Sequence, residues 1–403
     1  SYIDAPGAER LWNALEERCV EREGCDALVI PHNSNLSAGY MFSGRDDAGQ
    51  PVTEDYAARR AAFEPLVEIM QHKGSSECYF APGGEDELCA FEQLPKDNIA
   101  GYDAPPRPDT GFVRRALIDG LRLAGELGVN PYQFGMVAST DTHLGTPGAV
   151  EEDRFLGHGG AGVPARASVP RGLPDKLEYN PGGLAVVWAE ENSRQSLFAA
   201  MRRRETYATS GPRIVSRLFA GRDFEATLCE APDRIQQGYA GGVPMGGVLP
   251  LAEGAPRLLV AASRDPGTAD APGLPLQRIQ VVKGWVDAAG GAHTRVVDVA
   301  GDADNGASVD LHSCEPSGSG FDELCTVWED DSFDPALPAF YYTRVLENPG
   351  CRWSQRQCAA AGVDCARPET VKRGFDACCA DEHRPVVQER AWSSPVWYLP
   401  PTD

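Results

Sequence analysis

Asp141 and His143 stand two apart in Ser139-Thr140-Asp141-Thr142-His143, directly after the apolar run Phe134 to Ala138. Side chains at i and i+2 of a strand share a face. A carboxylate and an imidazole would then project together from the end of a buried strand. Both groups are ligands for Zn, Mn or Fe. A turn capped by Asp141, with His143 incidental, accounts for the same residues without a metal. Repetition favours the metal. The run Asp26 to Ile30 closes in Pro31-His32, and the run from Leu66 closes in Gln71-His72, with Glu77 soon after. Active sites of parallel α/β barrels lie at the carboxyl ends of their strands, so three successive ends of this kind point to one centre. The expectation is that His32, Asp141 and His143 meet in the ligand shell of one metal.

The elements that would position these residues alternate. Leu11, Trp12, Leu15 and Cys19 have helical spacing over residues 8 to 22. The strand-like run to Ile30 follows, then a helix from Glu54 to Phe63, and then a second strand-like run from Leu66 to His72. Thr110 can cap a helix from Gly111 to Leu127 that ends at Gly128, and the third run, Phe134 to Ala138, leads into Asp141. Helix and strand in alternation predict parallel α/β units.

The pattern changes near residue 183. Gly183 to Trp188 reads as a strand, and Asn192 or Ser193 can cap a helix from Gln195 to Arg204. That helix runs into Arg203-Arg204-Glu205-Thr206-Tyr207-Ala208-Thr209-Ser210-Gly211-Pro212-Arg213. Cations at a helix C-terminus complement its dipole, so some of these arginines can be purely structural. The Ser210-Gly211-Pro212 turn could also offer donors to an oxyanion. From 214 to 310, short apolar runs separated by Gly, Pro and Asp predict a β-sandwich. Residues 311 to 403 form a cysteine-rich extension that returns to the core. The division is thus 1–182, 183–213, 214–310 and 311–403.

Of the 12 cysteines, seven fall after residue 310, and no Cys-x-x-Cys pair occurs. That argues against a zinc ribbon and for at least three disulfides, most of them after Cys314, in an oxidising compartment: periplasmic or secreted. Buried free thiols in a cytosolic enzyme are the alternative. The formal charge of -22 disfavours nucleic acid, whose phosphates are bound by Lys and Arg. It leaves room for a small anionic ester, because a metal or a local arginine can dominate its own site. No apolar run approaches the ~18 residues of a membrane span. The first residues, Ser1-Tyr2-Ile3, contain neither Met nor a signal-peptide pattern.

Several segments carry a family resemblance. Ile30-Pro31-His32, the Glu68-bearing run and Ser139 to His143 resemble the last three strands of the polymerase-and-histidinol-phosphatase class of metal-dependent phosphoesterases. More closely, Pro31 to Ser37, Gln71 to Glu77, Trp188 to Asn192 and Arg203 to Arg213 resemble the bacterial family known as domain of unknown function 3604. Cys351-Arg352-Trp353 and the closing Ser-Pro-x-Trp-Tyr fit it too. The resemblance implies an α/β fold that is part of a distorted (β/α)7 barrel, with two or three divalent metal ions at its mouth. His32, Asp141 and His143 match ligand positions; His72 matches only within the narrower family. Such barrels open with a His-x-His strand, which is missing among the seven histidines here. The expectation is a chain that enters the barrel halfway, with open sheet edges, completed by an N-terminal segment or a partner chain that brings the His-x-His.

The chemistry expected of such a centre is metal-assisted hydrolysis of a phosphate ester. Arg204, Arg213 and Ser210, with Arg203 beside them, are candidates to hold substrate oxyanions. His158, in Gly157-His158-Gly159-Gly160, is a candidate proton donor or else a surface histidine. Sulfate-ester or amide and carbamate hydrolysis on the same metals is a second reading. A non-catalytic exported binding or assembly subunit is a third.

Overall fold

The computed structural model describes residues 7–80, 86–94, 98, 109–159 and 172–401. The helix–strand alternation of the first part is present, but it builds a small sheet and not a barrel. Strand β1, Leu66–Gln71, pairs parallel with β3, Gly135–Ala138, and antiparallel with the two-residue β2, Gly74–Ser75. The expected strand at Asp26 to Ile30 does not form. That segment runs beside β1 with Val29 N–H donating to the Phe63 carbonyl (2.7 Å) and Glu68 N–H to the Pro31 carbonyl (3.0 Å). Pro31 has no N–H with which to continue a ladder.

The helices follow their sequence signals. Thr53 caps Glu54–Phe63 by accepting from Tyr56 N–H (3.3 Å). Val113–Leu127 buries Val113, Ala116, Leu117 and Leu121 and stops at Gly128, whose φ of 76° and N–H bond to the Ala124 carbonyl (2.8 Å) make a left-handed cap. Its first turn starts later than expected, and the Thr110 hydroxyl donates to the Gly39 carbonyl (3.2 Å) instead. Ser193 caps Arg194–Arg202.

The rest of the chain supplies antiparallel strands. A seven-stranded sheet runs Ala292–Gly301, Leu276–Val286, Ala339–Glu347, Arg390–Ser393, Thr206–Thr209, Leu184–Val187, with Val396–Tyr398 also paired to Ala339–Glu347. Its two faces alternate with the period of a strand. Val282, Phe340, Tyr342 and Trp392 face the β1–β3 unit and its helices. Val281, Tyr341, Val345 and Ala391 face a four-stranded sheet of Glu323–Glu329, Arg257–Ser263, Val215–Gly221 and Gly242–Pro244. A large side chain buried to this extent contributes roughly 1.5–3 kcal/mol.

The (β/α)7 barrel is therefore corrected: among the described residues the sheets are mostly antiparallel and no barrel closes. The apolar face that a half-barrel would expose is covered by the chain's own seven-stranded sheet. The free edge of β3 is tied to that sheet through Ser394 Oγ, which accepts from Met136 N–H (2.8 Å), and Thr206 Oγ1, which donates to the Met136 carbonyl (3.0 Å). The run 214–310 does not form a sandwich by itself. Its longer strands divide between the two antiparallel sheets; the seven-stranded one also takes strands from both flanking regions, and the four-stranded one takes Glu323–Glu329.

Six disulfides join all 12 cysteines: Cys19–Cys25, Cys78–Cys89, Cys229–Cys325, Cys314–Cys351, Cys358–Cys378 and Cys365–Cys379. Three lie wholly within 314–403, and a fourth ties Cys325 back to Cys229. This is the chemistry of an oxidising compartment. Among the described residues no helix is long and apolar enough to cross a membrane.

Candidate metal centre

β1 is buried along its whole length and delivers His72 to its carboxyl end, where only 1% of the residue is exposed. Gly74, at φ 93°, then turns the chain so tightly that a Cβ there would lie 2.3 Å from the Glu92 carbonyl oxygen. His72 Nδ1 lies 2.6 Å from the carbonyl oxygen of Asn180. A carbonyl only accepts, so Nδ1 carries the proton and a neutral ring has its lone pair on Nε2. That lone pair meets Oδ2 of Asp175 at 3.3 Å, within ion-pair range but without the alignment of a hydrogen bond. Burial, more than any neighbour, lowers the His72 pKa, which favours the neutral ring. Two acceptors then face each other, an arrangement that a cation between them could compensate.

His158 completes the group. Its ring stacks on His72 with centroids 3.9 Å apart and planes 13° from parallel, and its Nδ1 is 3.8 Å from Asp175 Oδ2. Burial, and then the adjoining His72, push the His158 pKa down to about 4. Asp175 accepts from the backbone N–H groups of His158 and Lys176, both at 2.9 Å. Burial raises its carboxyl pKa, but the adjoining His72 side chain, ahead of the two backbone N–H groups, outweighs this and holds it below the usual range. His72, His158 and Asp175 can each offer one ligand atom, all within 4.8 Å of one another. Two imidazoles and one carboxylate suit Zn, Mn or Fe, and three protein ligands leave coordination positions open.

A second polar group adjoins the first. Glu68, 6% exposed, accepts from Ser139 Oγ on one oxygen and from Asn33 N–H (3.3 Å) on the other. Burial raises its pKa, against the pull of Ser139 and the nearby His32. Asp141 takes a left-handed φ of 53°, and its Oδ2 accepts from both Gln71 Nε2 (3.1 Å) and the Lys73 ammonium. Gln71 Nε2 also donates to Asn33 Oδ1 (2.6 Å), and Asn33 is itself at φ 52°. Two left-handed non-glycine residues joined through one amide mark a place where the surroundings hold the backbone in a sparsely populated conformation.

The sequence candidates divide between these groups. β3 ends at Ala138, so the two-residue alternation does not extend to Asp141 and His143. Asp141 turns to Gln71 and Lys73. His143 turns to His158, with its N–H on the His158 carbonyl (2.8 Å) and the two rings edge to face at 4.9 Å. His32 is exposed and near Glu68. His32, Asp141 and His143 do not bring ligand atoms within 4.8 Å of one another as a group. Arg204 lies at the start of β3, the end away from Asp141, packed where a Cβ on Gly135 would be, with Nε on the Gly246 carbonyl (3.2 Å). Arg213 is exposed, with its guanidinium 3.4 Å from Glu151. Ser210 is 2% exposed and donates to Glu389. None of these three meets the histidines. Arg203 pairs with Glu205 and Glu190.

Asp175, Lys73 and Asn180 carry the centre without having been singled out in the sequence. Asp175 sits in an irregular loop, Gly172-Leu173-Pro174-Asp175, with no periodicity to mark it. Lys73 directly follows His72, and that adjacency is the one local sign of it. A cavity of about 550 Å³ lies elsewhere, against Cys78, Asp86, Arg114 and Arg295, and no histidine lines it.

A family model described as "Protein of unknown function (DUF3604)" matches residues 1–400, and the chain belongs to that family. No curated protein and no solved structure matches the chain.

Proposed function

We propose that this member of the DUF3604 family is a metal-dependent hydrolase of a phosphate ester, acting in the periplasm or outside the cell. The observation that carries the reading is buried His72, with Nδ1 2.6 Å from the Asn180 carbonyl and Nε2 3.3 Å from the Asp175 carboxylate. His72, His158 and Asp175 would hold one divalent cation, Zn, Mn or Fe. When bound, such a cation activates water and stabilises charge on the ester oxygens. The Asn180 carbonyl fixes the His72 tautomer, as outer-shell acceptors do for metal-binding histidines. The backbone N–H groups on Asp175 keep its carboxylate charged and aimed. Exposed His32 and His143, with half-buried Asp141, form the rim by which an ester would enter. The resemblance of Ser139 to His143 to the polymerase-and-histidinol-phosphatase class supports phosphate as the ester, although the barrel of that class has no part in this reading. The six disulfides support export.

The test is elemental analysis of the purified chain with a panel of phosphate, sulfate and carboxylic esters. The expected result is a bound transition metal and hydrolysis of phosphate esters, both lost in His72→Ala and Asp175→Asn. Metal-free protein that takes up no Zn or Mn on titration would sink the reading. Metal uptake with turnover confined to sulfate or amide substrates would replace phosphate while keeping the centre.

A further inference from the structure

We propose that Lys73 occupies the place of a second cation: the centre binds one divalent ion, and the Lys73 ammonium supplies the second positive charge and contacts an anionic oxygen of the ester. This rests on the hydrolase reading above and deepens it. Lys73 leaves the chain between the two polar groups. Its backbone N–H donates to Gln71 Oε1 (2.6 Å), and its ammonium donates to Asp141 Oδ2. Burial lowers the Lys73 pKa, and Glu68 and Asp175, one from each group, act against that.

The carboxylates on the Glu68 side are already supplied with donors. Glu68 has Ser139 on one oxygen and Asn33 N–H on the other. Oδ2 of Asp141 has the Gln71 amide and the ammonium together. A metal ion at Asp141 would have to displace that ammonium or sit beside it, like charge against like charge. The His72 side differs, because buried Nε2 there has the Asp175 carboxylate at 3.3 Å and no aligned donor or acceptor. Among the described residues the other group of three with ligand spacing is Cys78, Asp86 and Cys89, whose two sulfurs form a disulfide. The structure thus offers one built cation site and one ammonium.

An ammonium has three donors. One is engaged by Asp141, which leaves two for a substrate. The Lys73 side chain is 15% exposed and that of Asp141 29%, against 6% for Glu68. Lysine binds phosphate as a compact point charge with rotatable donors. The same charge at an ester's non-reacting oxygen does what a second metal does in two-metal sites, without needing further ligands.

The experiment uses the full chain, stripped with chelator and titrated with Mn²⁺, followed by inorganic phosphate. Elemental analysis and calorimetry give the ion stoichiometry and the phosphate affinity. The expected result is one Mn²⁺ per chain in the wild type and in Lys73→Met. Phosphate binding should fall tenfold or more in Lys73→Met and recover in part in Lys73→Arg, and circular dichroism of each variant reports its fold. If Lys73→Met unfolds, Lys73→Gln takes its place, with the same expected loss. Two Mn²⁺ per wild-type chain, or unchanged phosphate affinity in a folded Lys73 variant with one Mn²⁺, would overturn the role of Lys73 and leave the hydrolase reading standing. No Mn²⁺ at all, with none of Zn²⁺ either, would overturn both.

Discussion

Glu77 and Asp175 are both acids enclosed in the polar interior near His72, and their surroundings differ in kind. Glu77 Oε1 accepts from Arg114 Nη2, Arg344 Nη1 (3.1 Å) and the Tyr342 hydroxyl (2.8 Å), and Oε2 accepts from Trp392 Nε1 (2.7 Å). Asp86 and Gln280 take the remaining guanidinium donors of Arg344. Every group meets one of opposite sense. Asp175 faces two imidazoles, and one of them presents it with a lone pair. A buried charge with a full set of partners holds a fold together, whereas an acceptor set against another acceptor is what the proposed cation would compensate. The sequence reading put Glu77 beside His72 as a metal-capable strand end. Three of the four partners that make it structural, Tyr342, Arg344 and Trp392, come from strands more than 200 residues later, Ala339–Glu347 and Arg390–Ser393.

The comparison breaks most readily at Glu77. Glu77→Gln keeps the shape and removes the charge, leaving Arg114 and Arg344 with too little compensation. Breaking one side of a buried ion pair costs roughly 3–5 kcal/mol, so denaturant unfolding should show a loss of that order, with no change in metal stoichiometry wherever the variant is folded. The pH dependence has a definite sign. Burial would raise the Glu77 pKa, but Arg344 and Arg114 overcome it and hold the carboxyl far below its ordinary value. A depressed acid contributes stability that is present above its unfolded pKa, about 4.3, and is lost as pH falls toward the folded one. Wild-type stability should fall steeply below about pH 4, and that of Glu77→Gln should fall less. Equal acid sensitivity would mean that Glu77 is not the structural counterpart drawn here.

The next effect tests how the cysteine-rich extension serves the metal side. Arg352 directly follows Cys351 and donates to the carbonyls of Leu177 and Tyr179, both at 2.6 Å, while Trp353 Nε1 also donates to Tyr179 (2.7 Å). Those carbonyls lie between Asp175 and Asn180, the two residues that face His72. Arg352 is itself paired with Glu92, which accepts from the Asn180 side-chain amide (3.3 Å). Removing the Cys314–Cys351 bridge as the double Ala variant should cost about 2–4 kcal/mol and also weaken metal affinity. Removing Cys19–Cys25, far along the chain from these carbonyls, should leave the metal affinity unchanged. Calorimetric titration of both variants makes the distinction.

A third effect is visible only when metal is present. His72→Ala removes the lone pair but no compensating charge, so the apo protein should change stability less than Glu77→Gln does. Wild-type protein in Zn²⁺ at 100 times its dissociation constant should gain ~2.7 kcal/mol, and His72→Ala should gain nothing. A thermal or denaturant melt with and without Zn²⁺ reads both numbers. An equal gain in the two proteins would place the ion away from His72.

These contrasts also show what could be read from sequence. The helices Glu54–Phe63, Val113–Leu127 and Arg194–Arg202 follow from apolar spacing and from Thr53, Gly128 and Ser193 at their ends. β1 and β3 follow from their apolar runs. Pairing does not follow, because an apolar run looks the same whether its neighbour is parallel or antiparallel. Gly183 to Trp188 reads as a strand with no partner specified, and Leu184–Val187 joins an antiparallel sheet. His72, Asp141, His143 and His158 were visible as residue types at run ends or in a glycine-rich loop. Their division into two groups was not, since it depends on Asp141 leaving strand geometry at φ 53°. Asp175 reaches His72 from a loop about 100 residues away, and no local spacing encodes that.

The smallest effect tests whether the Glu68 side is built like the Glu77 side. Ser139→Ala removes the hydroxyl that donates to Glu68 Oε1 and leaves Asn33 N–H on Oε2. Burial already raises the Glu68 pKa, and Ser139 is the foremost group opposing that rise. Its loss should raise the pKa further. For an acid whose folded pKa lies above its unfolded one, deprotonation costs stability, so the penalty is absent at low pH and grows as pH rises through the folded value. Ser139→Ala should therefore be nearly as stable as wild type at about pH 4 and less stable at neutral pH by roughly 1.5–3 kcal/mol at most, the range for a hydrogen bond to a charged group. Metal stoichiometry should stay the same, because Glu68 is on the lysine side of the centre. The measurement is the difference in unfolding free energy between the two proteins across the pH range. A difference that stays flat up to neutral pH would show that Glu68 stays protonated there. The lysine side would then carry one negative charge fewer than drawn here, with Asp141 alone balancing Lys73.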